Sequence, residues 1–469
     1  MEYRMEHDTL GSVEVPANRL WGAQTQRSLQ NFPIGNESDR MPREIIKALL
    51  IIKAACAKIN RQFGLVPQDI ADAVASAALR LYENTPWEDF PLQVWQTGSG
   101  TQTNMNVNEV IARVASDAIG RPVHPNDHVN RSQSTNDVFP SAVHLASLLL
   151  AERRLLPAGE NLAKRLESKA RRYSRLIKIG RTHMQDATPV TLGQEIGGWA
   201  ASVRRNLGMI AMSLELLRPL ALGGTAVGTG LNAPANFGLL VATELTEFLG
   251  TRILSERNKF HALSSRGELC AFHGVVRTLA ADVFKIACDV RLLASGPRCG
   301  FGELVLPANE PGSSIMPGKV NPTQCEAITQ IAIQIMANDV AVSIASSQGT
   351  LELNTYMPLL ARNVLSSCQL LADGMQSFAE RCIVGITANE KQISRFVGQS
   401  LMVATALTPV LGYEKVAALA KLAYENDSSI RETVLADGAL TAEQYDQLMM
   451  MDRLVGRSMG RSKGRGARL

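Results

Sequence analysis

Long uninterrupted apolar runs are missing from this sequence. None approaches the roughly 18 residues that a membrane-spanning helix needs. The start, Met1-Glu2-Tyr3-Arg4-Met5-Glu6-His7-Asp8, is polar and acidic. It has neither the apolar core of a secretory leader nor the Arg/Ser pattern of a transit peptide. The expectation is a cytoplasmic chain without a membrane partner. Cysteine is sparse and unpaired: the seven residues at 56, 270, 288, 299, 325, 368 and 382 form no CxxC pair. An odd, scattered set in apolar-periodic segments reads as buried reduced thiols. It argues against a disulfide scaffold, a cysteine zinc site and iron–sulfur spacing.

Bulk charge is missing too. The formal net charge is +4, but residues 452–469 alone carry +5, from Arg453, Arg457, Arg461, Lys463, Arg465 and Arg468 against Asp452. The body is therefore close to −1 and has no electrostatic footprint for nucleic acid. The basic tail, 458–469, reads as a disordered, solvated extension.

What remains is a 469-residue chain, 45% hydrophobic and 20% charged, too long for one ordinary core. Residues 1–133 mix short segments and loops. Thr9 to Pro16 reads as a turn and a short strand, and helices open near Pro42 and Pro67. Long helices dominate 134–393. The clearest, Arg266 to Ser295, places Leu269, Phe272, Val276, Leu279, Val283, Ile286, Val290 and Leu293 at alternating steps of three and four. That is a heptad seam, so its neighbours should pack nearly parallel. Ile328, Ile331, Ile335 and Val342 continue the habit. Apolar residues on more than one face call for partners, which other subunits could supply. Residues 394–457 form a smaller helical unit.

Three polar stretches interrupt this pattern. Gln96 to Asn106 is built almost wholly of Gly, hydroxyl and amide residues and can surround a polar ligand without charge. Gly180-Arg181-Thr182-His183-Met184-Gln185-Asp186 carries a lone histidine. Pro311-Gly312-Ser313-Ser314-Ile315-Met316-Pro317-Gly318-Lys319-Val320-Asn321-Pro322 is too rich in Gly, Ser and Pro for a helix. It can present backbone N–H groups, hydroxyls, one ammonium and one amide to a carboxylate or oxyanion. The segment Arg121-Pro122-Val123-His124-Pro125-Asn126-Asp127 pairs a histidine with an aspartate, but Pro125 and the spacing oppose a preorganised metal site.

Together these blocks resemble the fumarase/aspartase superfamily. Gly318 with Thr323-Gln324-Cys325-Glu326 resembles its class II fumarase branch, and His183 stands where aspartases tend to have Gln. Two places depart from that pattern: His261 stands where Glu is expected, and Asn426 to Glu432 is closer to an aspartase ending. The resemblance implies a mainly α, three-domain subunit whose long central helices assemble into a tetramer-wide bundle core. It implies a metal-independent, cofactor-free lyase of the tricarboxylic acid cycle, acting on a small dicarboxylate. Aspartate ammonia-lyase and a catalytically retired scaffold are the alternatives.

The same resemblance implies roles for individual residues. Ser313 would be the carbon base, His183 the acid toward the leaving hydroxyl, and Glu326 the carboxylate that orients it. Ser99, Thr101, Ser134, Thr135, Asn136, Thr182, Ser314, Lys319 and Asn321 would bind substrate. Arg121, His124, Asn126 and Asp127 would form a secondary anion site. The residue chemistry fits: breaking a C–H bond beside a carboxylate creates a dianion that cations and N–H donors must hold.

Overall fold

The computed structural model describes residues 2–450 with Leu454 and Val455. The basic tail lies outside the described residues. In chain order come β1 (Tyr3–Asp8), β2 (Gly11–Pro16), α1 (Ala23–Asn31), α2 (Arg43–Gln62), α3 (Gln68–Glu83), α4 (Thr101–Ile119) and α5 (Thr135–Leu150). Next are α6 (Leu156–Arg172), β3 (Ile177–Thr182), β4 (Gln185–Thr191), α7 (Leu192–Ser213), α8 (Phe237–Leu249), α9 (Lys259–Ser264), α10 (Gly267–Leu293), α11 (Thr323–Ser347) and α12 (Met357–Phe378). The last are α13 (Glu390–Gln399), α14 (Thr408–Leu411), α15 (Tyr413–Glu425), α16 (Ile430–Ala436) and α17 (Ala442–Leu448).

The chain divides into two compact units. The first comprises Met1–Pro157, Asn206–Ala281 and Ile331–Asp373. It opens with an antiparallel hairpin, Tyr3 opposite Pro16 through Asp8 opposite Gly11. The reading from residue types found only the second of these strands. Pro42 and Pro67 cap α2 and α3, where a missing N–H breaks no helical bond. α2 is buried almost all round, with Ile45, Leu49 and Ile52 at 0% exposure, and packs on α3, α5 and α8. Gly120 ends α4 in the left-handed conformation, φ 68°. Thr101 to Asn106 therefore belong to a helix, and only residues 96–100 of that polar stretch form a loop.

A buried polar layer fixes the register of the long helices in this unit. His273 of α10 bonds Asp339 of α11 at 2.7 Å and Ser367 of α12 at 2.9 Å. Arg277 reaches the other Asp339 oxygen at 2.7 Å. The α10 seam itself is buried from Leu269 to Leu293, as the heptad spacing requires.

α11 is long and apolar enough on average to cross a membrane, the one such helix among the described residues. Polar residues such as Gln330, Gln334, Asn338 and Asp339 keep its uninterrupted apolar runs short. Its outer stripe, Ile333, Val340 and Ile344, is more than half exposed.

The second unit comprises Ala158–Arg205, Asp282–Gln330 and Gly374–Leu469. Its β3–β4 hairpin packs on α13 and on the helical turns at Leu401–Leu407. Ile179, Val403, Leu407, Leu419, Ile430 and Val434 make one core there. All seven cysteines are free, and Cys56, Cys325, Cys368 and Cys382 are buried. Cys270 and Cys288 are half-buried and Cys299 is exposed, which departs from the expected buried set.

Candidate active site

The signature stretch is an exposed loop that runs straight into α11. Its two ends are tied together: Gly312 N–H donates to Lys319 O at 3.0 Å, and Asn321 Nδ2 donates to Gly312 O at 2.5 Å. A Cβ at Gly312 would lie 2.3 Å from Lys319 O, so closure demands glycine. Inside the loop, Ser313 Oγ accepts the N–H groups of Ile315 at 3.3 Å and Met316 at 3.1 Å. Two backbone donors on one hydroxyl oxygen favour negative charge there, and hence its alkoxide. Ser314 and Lys319 are exposed in the same loop. Glu326 is exposed in the first turn of α11, where the helix dipole favours a carboxylate.

Thr182 and His183 stand at the tip of the β3–β4 hairpin. Thr182 pairs with Gln185, leaving a two-residue turn of His183 and Met184. Both have positive φ, 55° and 63°, the pattern of a type I′ turn. Positive φ is uncommon for a non-glycine residue, though histidine adopts it more readily than methionine, so the flanking strand pairing holds the turn. The strand behind the turn is pinned by buried charges. Arg181 pairs with the fully buried Glu303 at 2.8 Å and lies over the Phe301 and Phe396 rings, 4.4 and 5.6 Å from their centroids. Lys178, also buried, bridges Glu303 at 3.2 Å and Glu195 at 2.9 Å. Among the described residues, no hydrogen bond or ion pair joins His183 to Glu326.

The first unit holds Ser99, Thr101, Ser134, Thr135 and Asn136. Ser99 Oγ and Thr101 Oγ1 lie 2.8 Å apart at the start of α4. Gly98 lets that loop approach residue 355: a Cβ there would overlap Thr355 O. Ser134 caps α5, accepting from Asn136 N–H at 3.2 Å, while Asp137 accepts from Ser134 N–H at 3.0 Å. Thr135 Oγ1 accepts from Asn104 Nδ2 at 2.9 Å.

One element here escaped the sequence reading. The Gly223–Gly230 loop is clamped to the start of α5: the buried Asp137 carboxylate accepts Gly223 N–H at 3.0 Å and Thr225 N–H at 2.9 Å. Asn136 Nδ2 donates to Ala226 O at 2.8 Å, so this loop aims the Asn136 side chain. Desolvation raises Asp137 above the ordinary aspartate range despite those N–H bonds. Four glycines in eight residues were the available signal.

At the candidate secondary anion site, His124 Nδ1 accepts N–H bonds from Asn126 at 3.3 Å and Asp127 at 3.1 Å. Those bonds open a wide helical turn, Pro125–Val129. Arg121 is held by Asp69. Among the described residues, no group of three or more His, Cys, Asp or Glu side chains is arranged to hold a metal ion.

The lyase family model matches residues 11–337, and the model of the fumarase C C-terminus matches residues 403–456. The second match covers Asn426 to Glu432. The chain is 52% identical to the class II fumarate hydratase of Oceanobacillus iheyensis, across 97% of this chain and 99% of that protein. It is 53% identical to that of Ralstonia nicotianae, across 97% of this chain and 100% of that protein. The crystal structure of recombinant class II fumarase from Schistosoma mansoni is similar at a TM-score of 0.93 and 41% identity. That match covers 96% of this chain and 99% of the other.

Proposed function

We infer that this chain, which belongs to the lyase family and within it to the class II fumarate hydratases, interconverts fumarate and (S)-malate. The observation that carries the mechanism is Ser313 Oγ under the N–H groups of Ile315 and Met316. In the malate-to-fumarate direction, the Ser313 alkoxide takes the C3 proton. The C–H electrons pass into the adjacent carboxylate, giving a dianion that Lys319 and Asn321 hold. The dianion then expels the C2 hydroxyl, which leaves as water with a proton from His183. Among the described residues Glu326 makes no bond to His183 within one chain, so it orients His183 from another copy of the chain. Thr101, Ser134, Thr135, Asn136 and Thr182 bind the two substrate carboxylates, with Ser99 and Ser314 beside them. Arg121, His124, Asn126 and Asp127 bind a second anion.

The working form is a homotetramer whose sites draw on residues of more than one copy. The exposed Ile333, Val340 and Ile344 stripe supports this, since burying the half or more of each side chain still open would gain about 1–2 kcal/mol. The seven free cysteines suit a reducing, cytoplasmic setting.

Absorbance at 240 nm tests the reading. Fumarate should be consumed in water alone, with EDTA present and with no dependence on ammonia. Ammonia-dependent consumption would mean an ammonia-lyase, and none at all would mean a retired scaffold. Subunit exchange tests the shared site: inactive Ser313→Ala and His183→Asn tetramers should regain partial activity when mixed. No recovery in verified mixed tetramers would place both residues in one copy's site.

A further inference from the structure

Lys53 lies in the middle of α2 among Ile51, Ile52, Ala54 and Ala55, and is itself 0% exposed. Burying an ammonium costs several kcal/mol unless other groups replace its water. Among the described residues, no carboxylate forms an ion pair with it. Amide oxygens take that place: Nζ donates to Asn130 Oδ1 at 2.8 Å and Gln133 Oε1 at 3.0 Å. Asn130 Oδ1 is shared, since it also accepts from Asn104 Nδ2 at 3.3 Å and Asn108 Nδ2 at 3.2 Å. Asn104 Nδ2 in turn reaches Thr135 Oγ1 at 2.9 Å. The bonds thus run from the core of α2, through the turn at 130–133, to the first residue of α5.

A methionine would fill the same space without the desolvation cost, so packing alone does not account for a lysine here. Burial drives the Lys53 ammonium down to about 7, the mark of a group held at electrostatic expense. The network ends on one side at Thr135. On the other, Gln133 directly precedes Ser134, whose capping bonds set the geometry of Asn136.

We propose that Lys53 is a positioning residue for substrate binding, fixing the Ser134-Thr135-Asn136 triplet through Asn130, Gln133 and Asn104. This rests on the reading above that the triplet holds a substrate carboxylate. Lys53 touches neither substrate nor the reacting atoms. Its loss acts on binding and leaves Ser313 and His183 in place.

Lys53→Met should raise KM for fumarate and malate by about 10-fold, the equivalent of one well-placed hydrogen bond, with kcat changed by less than about 3-fold. The Kd of succinate, an unreactive 1,4-dicarboxylate, should rise by a similar factor in calorimetry. A fall in kcat with KM and Kd unchanged, or no change in any of them, overturns the inference. Should Lys53→Met fail to fold, Asn104→Ala decides. It leaves both Lys53 bonds intact and cuts the link to Thr135, so raised KM supports the inference and unchanged KM overturns it. Wild-type turnover is scored separately: an inert wild type sinks the fumarase reading, and the succinate titration then judges Lys53.

Discussion

Removing the Glu303 carboxylate should damage both the stability of the second unit and the chemistry of His183. Glu303 is fully buried and faces two cations, Lys178 at 3.2 Å and Arg181 at 2.8 Å. Deleting one member of a buried ion pair costs about 3–5 kcal/mol, because the other charge is left without water or partner. Lys178 keeps Glu195 at 2.9 Å, and Arg181 is 13% exposed. Glu303→Ala should therefore fall at the lower end, about 3 kcal/mol. Urea unfolding followed by circular dichroism, at fixed chain concentration, would read this as a lowered midpoint. Arg181 directly precedes Thr182-His183, so kcat should fall as well, under conditions where the variant is still folded. The double variant Lys178→Met with Glu303→Leu removes both buried charges of one pair and should recover at least half of the lost stability. An unchanged midpoint for Glu303→Ala would refute the counter-charge role. A double variant as unstable as the sum of its singles would refute the pairing.

His183→Asn should keep or raise the unfolding midpoint, because asparagine tolerates positive φ, yet flatten the pH profile of malate dehydration. An unchanged pH profile would rule His183 out as the acid. Lys319→Met should lower kcat/KM by about 10²-fold, the scale of losing one oxyanion donor, and a rise in KM alone would assign Lys319 to ground-state binding. Burial, with the Arg266 charge adding to it, holds His144 at about 4, well below its ordinary 6.5. The unfolded chain therefore takes up a proton between pH 6.5 and about 4 that the folded chain refuses, and stability falls as pH drops through that window. His144→Gln, which keeps an N–H for Pro219 O, should lessen the fall between urea midpoints at pH 7 and pH 4, and an undiminished fall would refute the assignment.

Local signals in the sequence determined a good deal. Prolines at 42 and 67 start helices because they tolerate a missing N–H, and the α10 seam is visible because a heptad repeats within one segment. The signature loop is legible because Gly, Ser and Pro crowd together where no helix can form. The family followed from three such blocks, each contiguous. The order of residues also placed Ser313, His183 and Lys319 in stretches that interrupt the helical periodicity.

Tertiary structure decided the support for those residues. Nothing near Lys53 in the sequence says that its ammonium will be solvated by Asn130 and Gln133, which belong to a different segment. The same holds for Arg181 with Glu303, and for Asp137 with the loop at 223–225. Even the conformation of His183 is set from outside, because the pairing of Thr182 with Gln185 leaves a two-residue turn that needs positive φ at both His183 and Met184. The reactive groups announce themselves by residue type and local spacing. The buried charges that aim them depend on which segments meet, and only the folded chain brings those segments together.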